Sequence, residues 1–198
     1  MSRTVVQLPT AAPRRHLTDR QAQTVHKLCE AAVAELEAVG HQGLTVRSVA
    51  KRADVAPATA YTYFASKEHL VAEVFWRRIE AQGERPVDRR RRSADRVTDV
   101  LLDFALVVAD ETDVAAACTV ALLADDAEVS ELREKIGRTF HRRLTDALGD
   151  DGTPAIVQVL ELTTTGTLVQ VGTGHLDYSD VPGLLADAAD LVLGGATP

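Results

Sequence analysis

At 198 residues the chain has room for one large domain or two small ones. A soluble chain of this length buries about 70% of the surface its unfolded form exposes, so neither metal nor disulfide is needed to hold it together. Hydrophobic residues make up 45%, charged residues 26% and aromatic residues only 4%, while Ala occurs 30 times and Asn never. That bias favours helix and disfavours an all-β fold. The two cysteines, Cys29 and Cys118, cannot build a disulfide framework, nor a zinc site without histidine help. The longest apolar stretch, Val114 to Ala124, is eleven residues interrupted by Thr119, well short of the roughly 20 that a membrane helix needs. The start, MSRTVVQLPTAAPRRH, lacks the apolar core of a secretory signal. The expectation is a cytoplasmic, mostly helical protein without a membrane partner or a cofactor.

The formal charge of −7 hides a split. Residues 1–92 hold 16 Lys/Arg against 10 Asp/Glu, whereas residues 93–198 hold 6 against 19. The asymmetry suggests one part that meets a polyanion and one that does not. Without the run Arg89-Arg90-Arg91-Arg92 the basic part falls to +2, so its excess is modest. That run reads as a solvated loop.

Residues 1–16, with two prolines, Arg3, Arg14 and Arg15 and no period, read as a flexible arm. Arg14 and Arg15 would be free to enter a minor groove. Thr18 and Gln21 form a capping box that starts a helix. Val25, Leu28, Cys29, Ala32, Val33 and Leu36 then lie on one helical face, and Gly40 caps its end. Thr45 caps a short helix, Val46–Ala53. After Asp54-Val55-Ala56, Pro57 opens another that runs to Phe64, since its missing N–H is unpaired there anyway. Ser66 caps a fourth, Lys67 to Gln82, with Leu70, Val71, Val74 and Phe75 facing inward. Beyond a break at residues 83–92, helices are expected near Ala94–Ala109, Val114–Ala124, Glu128–Leu148, Pro154–Val171 and Val181–Leu193. The Val- and Thr-rich stretch Ala155–Val171 resembles strand in composition, but its length favours helix.

Thr45 to Lys67 carries the chemistry. Two short helices joined by a three-residue turn make a helix-turn-helix if the second fits a major groove about 12 Å wide. Val46, Val49, Ala50, Val55, Ala60 and Phe64 supply the inner face. Ala58, Thr59, Tyr61 and Thr62 are left outward, none of them acidic. Thr45 and Ser66 stand at helix N-termini, where N–H groups favour phosphate, and Lys67 adds a charge.

The segment LTVRSVAKRADVAPATAYTYFASKEHL resembles the DNA-binding domain of the TetR family of bacterial transcriptional regulators. The match rests on Leu44-Thr45-Val46, Val49-Ala50, Ala53, Val55, Thr59, Tyr61, Tyr63-Phe64, Ser66-Lys67-Glu68 and Leu70. The resemblance implies an all-α homodimer of about nine helices per chain. Its parts would be an arm (1–16), a helix-turn-helix domain (17–65), a connecting helix with an Arg-rich loop (66–92), and a ligand-binding and dimerisation domain (93–198). It also implies that Thr45 and Lys67 hold phosphates and that Tyr61 reaches the DNA backbone. Arg47 would read a guanine, and Pro57, Ala58 and Thr59 would face bases. Tyr63 is either packing or a phosphate contact through its hydroxyl, and Arg47 otherwise a solvated surface arginine. Asp54 stands where the family often has Gly, and Asp tolerates the left-handed conformation such a turn needs.

His26 and Cys29 have the spacing of two metal ligands, but nothing completes a site, so no metal is expected. Gly166, Gly172 and Gly174 lack the preceding strand of a phosphate loop. Gly166 reads as a close-packing point and Gly172–Gly174 as a helix exit. No catalytic constellation is present. By resemblance the last two helices pair the dimer through Leu162, Gly166, Val169, Leu184, Leu185, Ala188, Leu191 and Val192. The middle helices would line a pocket with Phe104, Val108, Cys118, Leu122, Phe140 and Leu144, and with Thr164 as a polar group. The few aromatic residues beyond residue 92 point to an aliphatic or acyl-type ligand. The function implied is a repressor that binds a palindromic double-stranded operator as a dimer and is released by a small-molecule effector. The alternatives are a constitutive or architectural DNA binder, and a helical enzyme with a relic helix-turn-helix.

Overall fold

A computed structural model describes residues 18–194. The expected arm, with Arg14 and Arg15, lies outside the described residues. All regular structure within them is helical: α1 (Asp19–Gly43), α2 (Val46–Arg52), α3 (Pro57–Tyr63), α4 (Lys67–Ala81), α5 (Ser93–Ala105), α6 (Thr112–Leu122), α7 (Ala127–Leu148), α8 (Pro154–Gly172) and α9 (Val181–Gly194), with a 3-10 turn at Gly149–Asp151. This is the all-α architecture expected.

The caps predicted at Thr18, Thr45 and Ser66 form. Thr18 and Gln21 complete a reciprocal capping box, as do Thr45 and Ser48. Gly40 does not end α1 but kinks it: its φ of +66° is a conformation that favours glycine, and one more turn follows. Asp54 adopts a φ of +54° between α2 and α3, as the turn requires. Val55 is half-buried against the core behind it.

Helix α4 is the spine of the molecule. It packs on α1, α6 and α7, and Leu70, Val71, Ala72, Val74, Phe75, Trp76 and Ile79 are all buried. Its apolar positions extend beyond the stripe expected of a surface helix because neighbours cover it on several sides. The remaining helices enclose α5, which lies against α7, α8 and α9. The buried apolar side chains, Ala94 apart, form a single cluster running from Val25 to Ala189.

Helix α8 is helical throughout despite its Val and Thr content. Thr163, Thr164 and Thr167 donate their hydroxyls to the carbonyls of Val159, Leu160 and Thr163, which satisfies them without leaving the helix. Helix α5 stops at Ala105, four residues before the expected end, and turns at 106–110 fold Val108 into the core at 3% exposure. Helix α6 starts two residues earlier than expected, at Thr112, with Asp113 in its first turn, where the helix dipole favours an acid.

The arginine run is not merely solvated. Arg91 pairs with Asp99, Arg92 with Asp95 and with Asp190 of α9, and the Arg89 guanidinium rests where a side chain at Gly149 would sit. The loop after α4 is thereby laced to α5, α9 and the end of α7.

Candidate nucleic-acid interface and ligand cavity

Helix α3 presents the expected outward face. Pro57, Ala58, Thr59 and Thr62 are exposed, and Tyr61 is 54% exposed, while Ala60 and Phe64 are buried beneath them. Tyr63 is half-buried and packs against the core. Arg47 stands exposed in the first turn of α2 and makes no hydrogen bond or ion pair among the described residues. Lys51 and Arg52 end the same helix, so this corner carries three cations. Arg52 is fastened by its Nε to Glu35 of α1 at 2.6 Å. Glu35 is 9% exposed, and hydrogen bonding to Arg52 holds its carboxyl below the ordinary value of 4.5.

Two groups expected at phosphates already have partners within the chain. Lys67 donates from Nζ to the carbonyl of His41 at 2.9 Å, which ties the start of α4 to the last turn of α1; an ammonium has two further donors. The Ser66 hydroxyl accepts from the His69 amide at 3.0 Å and donates to Asp126 at 2.7 Å. The Ser66 hydroxyl proton is therefore committed to the Asp126 carboxylate, beside the helix start where phosphate was expected. Thr45 is exposed, and its hydroxyl oxygen accepts from the Ser48 amide at 3.0 Å.

Six of the seven residues expected to line a pocket do so. Phe104, Val108, Cys118, Leu122, Phe140 and Thr164 surround a cavity of about 280 Å³. Leu144 does not: it is fully buried in the core. Other lining residues were missed, among them Phe75 of α4, Arg133 and Gly137 of α7, Thr165 of α8 and Tyr178. The argument for an aliphatic ligand from scarce aromatics loses its premise. Three of the four phenylalanines converge here with Tyr178, because distant helices bring their few rings together. Phe104 and Phe140 pack with centroids 4.5 Å apart. Thr164 and Thr119 spend their hydroxyl protons on helix carbonyls, so the wall is largely apolar. Burial pushes the Cys118 thiol well above its ordinary range, and Cys29, equally buried, up to about 12. Both behave as small apolar groups. His26 is exposed beside Cys29, and no cluster suited to a metal ion occurs among the described residues.

The residues expected at a dimer contact separate into two sets. Leu162 (66% exposed), Leu184 (41%) and Leu191 (77%) project from α8 and α9, with Val159 (46%) beside them. Leu185 is fully buried in the monomer core, which removes it from that set. Val169 lines the cavity, Val192 packs on the core, and Ala188 is half-buried. Gly166 is not a close-packing point among the described residues, since a methyl group there would meet none of them within 4 Å. Gly172 takes that part: a Cβ there would run into the Thr119 hydroxyl, so α8 and α6 approach because it has none.

The sequence pattern described as bacterial regulatory proteins, tetR family, matches residues 28–74, from α1 through most of α4. An uncharacterised HTH-type transcriptional regulator of Mycobacterium tuberculosis strain H37Rv is 45% identical over 179 residues, covering 89% of this chain and 84% of that one. The HTH-type transcriptional repressor KstR of Rhodococcus jostii is 28% identical over 184 residues, covering 89% and 86%. The crystal structure of a TetR transcriptional regulator from Rhodococcus sp. RHA1 superposes with a TM-score of 0.75 at 25% identity, covering 91% of this chain and all of that one. The chain belongs to the tetR family of bacterial transcriptional regulators.

Proposed function

We propose that this regulator is a repressor that binds a palindromic operator as a dimer and leaves it when a small apolar molecule fills the cavity between α4, α6, α7 and α8. The observation that carries this reading is the position of Phe75. It lines the cavity from the same helix whose first residues, Ser66 and Lys67, adjoin the helix-turn-helix. A ligand that displaces Phe75 pushes on α4, and α4 moves the recognition helix. The coupling equals the ligand's differential affinity for the two states. A dimer of this kind holds its recognition helices about 34–36 Å apart, one turn of duplex, so a small tilt of α4 in each half spoils the fit. The name of the Rhodococcus jostii relative, a repressor, supports the direction of control.

Thr45, Lys67 and Tyr61 are proposed to hold the DNA backbone, with Arg47, Pro57, Ala58 and Thr59 at base edges and Tyr63 behind them. The test is a gel-shift with DNA flanking the gene for this chain, repeated with candidate metabolites. Retardation that one class of apolar metabolite reverses is expected. Retardation that no metabolite alters would replace this reading with a constitutive binder.

A further inference from the structure

We propose that the cavity accepts an apolar molecule ending in an acid group, which passes between α7 and α8 through the gap at Gly137 and rests its acid on Arg133. The inference deepens the repressor reading and depends on it only for the consequence of binding.

Gly137 lies in the middle of the 22-residue helix α7, where glycine weakens a helix. Its backbone is not in the left-handed region, and a Cβ there would meet nothing within 4 Å. Neither conformation nor packing requires glycine at this position. What it does is leave space. Gly137 borders the apolar cavity and also an open groove of about 650 Å³ between α7 and α8, and Phe140 and Thr165 border both as well. The groove and the cavity meet at these three residues, and Gly137 and Thr165 are exposed to solvent. A larger side chain at 137 would stand in that opening.

Arg133 is one helical turn before Gly137, on the same face of α7, and also lines the cavity. Its Nη1 donates to the carbonyls of Leu122 and Ala124 at 3.0 and 2.8 Å. These neutral acceptors fix the guanidinium without neutralising it. Lys135, Arg138 and Arg142 on the same helix pair with Glu80, Glu134 and Glu84. Arg143 feels the Asp103 and Glu84 carboxylates and does not line the cavity, whereas Arg133 lines it and has no carboxylate partner among the described residues. A positive charge held rigid beside an apolar cavity, with donors to spare, suits a carboxylate whose remainder is apolar. Phe75, Phe104, Cys118, Ile136 and Leu168 receive that remainder.

The experiment measures binding to the full chain of two matched pairs, decanoate against 1-decanol and 5-phenylvalerate against 5-phenyl-1-pentanol. Trp76, the single tryptophan, provides the fluorescence signal from the residue next to Phe75. In at least one pair the acid should bind ten-fold or more tightly than its alcohol. Arg133→Gln should bring the two together, and Arg133→Lys should keep the acid preferred. Gly137→Leu should slow association of the acid at least ten-fold in stopped-flow mixing without lowering Tm, while Gly137→Ala binds as the parent does. Equal affinity for acid and alcohol in both pairs, no binding by any of the four, or parental association rates in Gly137→Leu would overturn the assignment. Operator release is scored separately. A neutral compound that releases operator while both acids fail to bind would overturn this inference and leave the repressor reading standing. Acids that bind as expected without releasing operator would support the inference and remove the repressor reading.

Discussion

The Ser66 hydroxyl donates to the Asp126 carboxylate at 2.7 Å, and each of these residues is the N-cap of its own helix. Ser66 accepts from the His69 amide of α4, and Asp126 from the Glu128 and Val129 amides of α7. The helix that leaves the DNA-reading corner and the helix that walls the cavity are therefore joined at their starts. Replacing a capping serine by alanine costs about 1 kcal/mol, so Ser66→Ala should lower stability by about that much in urea titration. Asp126→Ala removes a cap and the same shared bond, so the double variant should lose less than the two single losses added together. The Ser66 hydrogen bond holds the Asp126 carboxyl below its ordinary 3.8. With the folded value depressed, its contribution is complete above about pH 4 and vanishes as pH falls through the folded value. Asp126→Asn should flatten that acid limb of the stability profile.

Glu35 and Arg52 bind α1 to α2, but the two partners are unequally buried: their side chains are 12% and 42% exposed. Arg52→Ala leaves a nearly buried carboxylate with only the weaker help of Ser48 and Lys51, whereas Glu35→Gln leaves a cation that water reaches. The first should cost roughly 2 kcal/mol and the second about half that, less than for a fully buried pair because Arg52 is screened by solvent. Glu35 titrates lower than usual because its carboxylate accepts the Arg52 hydrogen bond, so this contribution too is present at neutral pH and fades as pH falls below about 4.5. Equal losses for the two variants in thermal unfolding would show that burial does not set the balance.

On DNA, Arg47 and Tyr61 should behave differently. Tyr61 is 54% exposed on the outward face of α3, and if its hydroxyl holds the DNA backbone as proposed, Tyr61→Phe should weaken binding to all sequences alike. Arg47, without a hydrogen bond or ion pair among the described residues, should cost about 1–3 kcal/mol at one base position when changed to Ala, and relax preference there. Lys67→Met should reduce the salt dependence of binding by about one counterion. It should also lower Tm, because the same ammonium holds the His41 carbonyl. Binding to a randomised DNA pool separates the two classes; a uniform loss in Arg47→Ala would remove it from the base-reading set.

The helix-turn-helix was legible because local chemistry fixes it: Thr45 and Ser66 cap, Asp54 turns, Pro57 starts, and apolar positions three and four apart point inward. Most of the cavity was legible for a weaker reason, since apolar residues on middle helices must face one another. Leu144 and Leu185 show where that reasoning stops. A leucine on an apolar face reads the same whether the surface it meets is a cavity, a partner or the core, and only tertiary packing decides. Gly137 carried a local signal, a glycine within a long amphipathic helix, though its meaning depends on the groove that α8 brings beside it. Arg133 carried none, because its partners are backbone carbonyls of another element. The arginine run reads as loop from composition, and its ion pairs with Asp99 and Asp190 join residues up to 98 positions apart.

The exposed leucines of α8 and α9 supply the last prediction. Leu162 and Leu191 are 66% and 77% exposed, while Leu185, between Leu184 and Ala186 on α9, is fully buried. If the outward set forms the two-fold contact, Leu162→Glu with Leu191→Glu should convert a dimer to a folded monomer in sedimentation, because paired charges facing themselves across a symmetry axis repel. Its helical signal should persist. Operator affinity should fall with loss of the second half-site, although each monomer retains an intact reading head. Leu185→Ala should behave in the opposite way. It removes core volume and should cost about 2–5 kcal/mol of stability, while the folded fraction still sediments as a dimer. A double glutamate variant that remains dimeric would place the two-fold contact on another face of the chain.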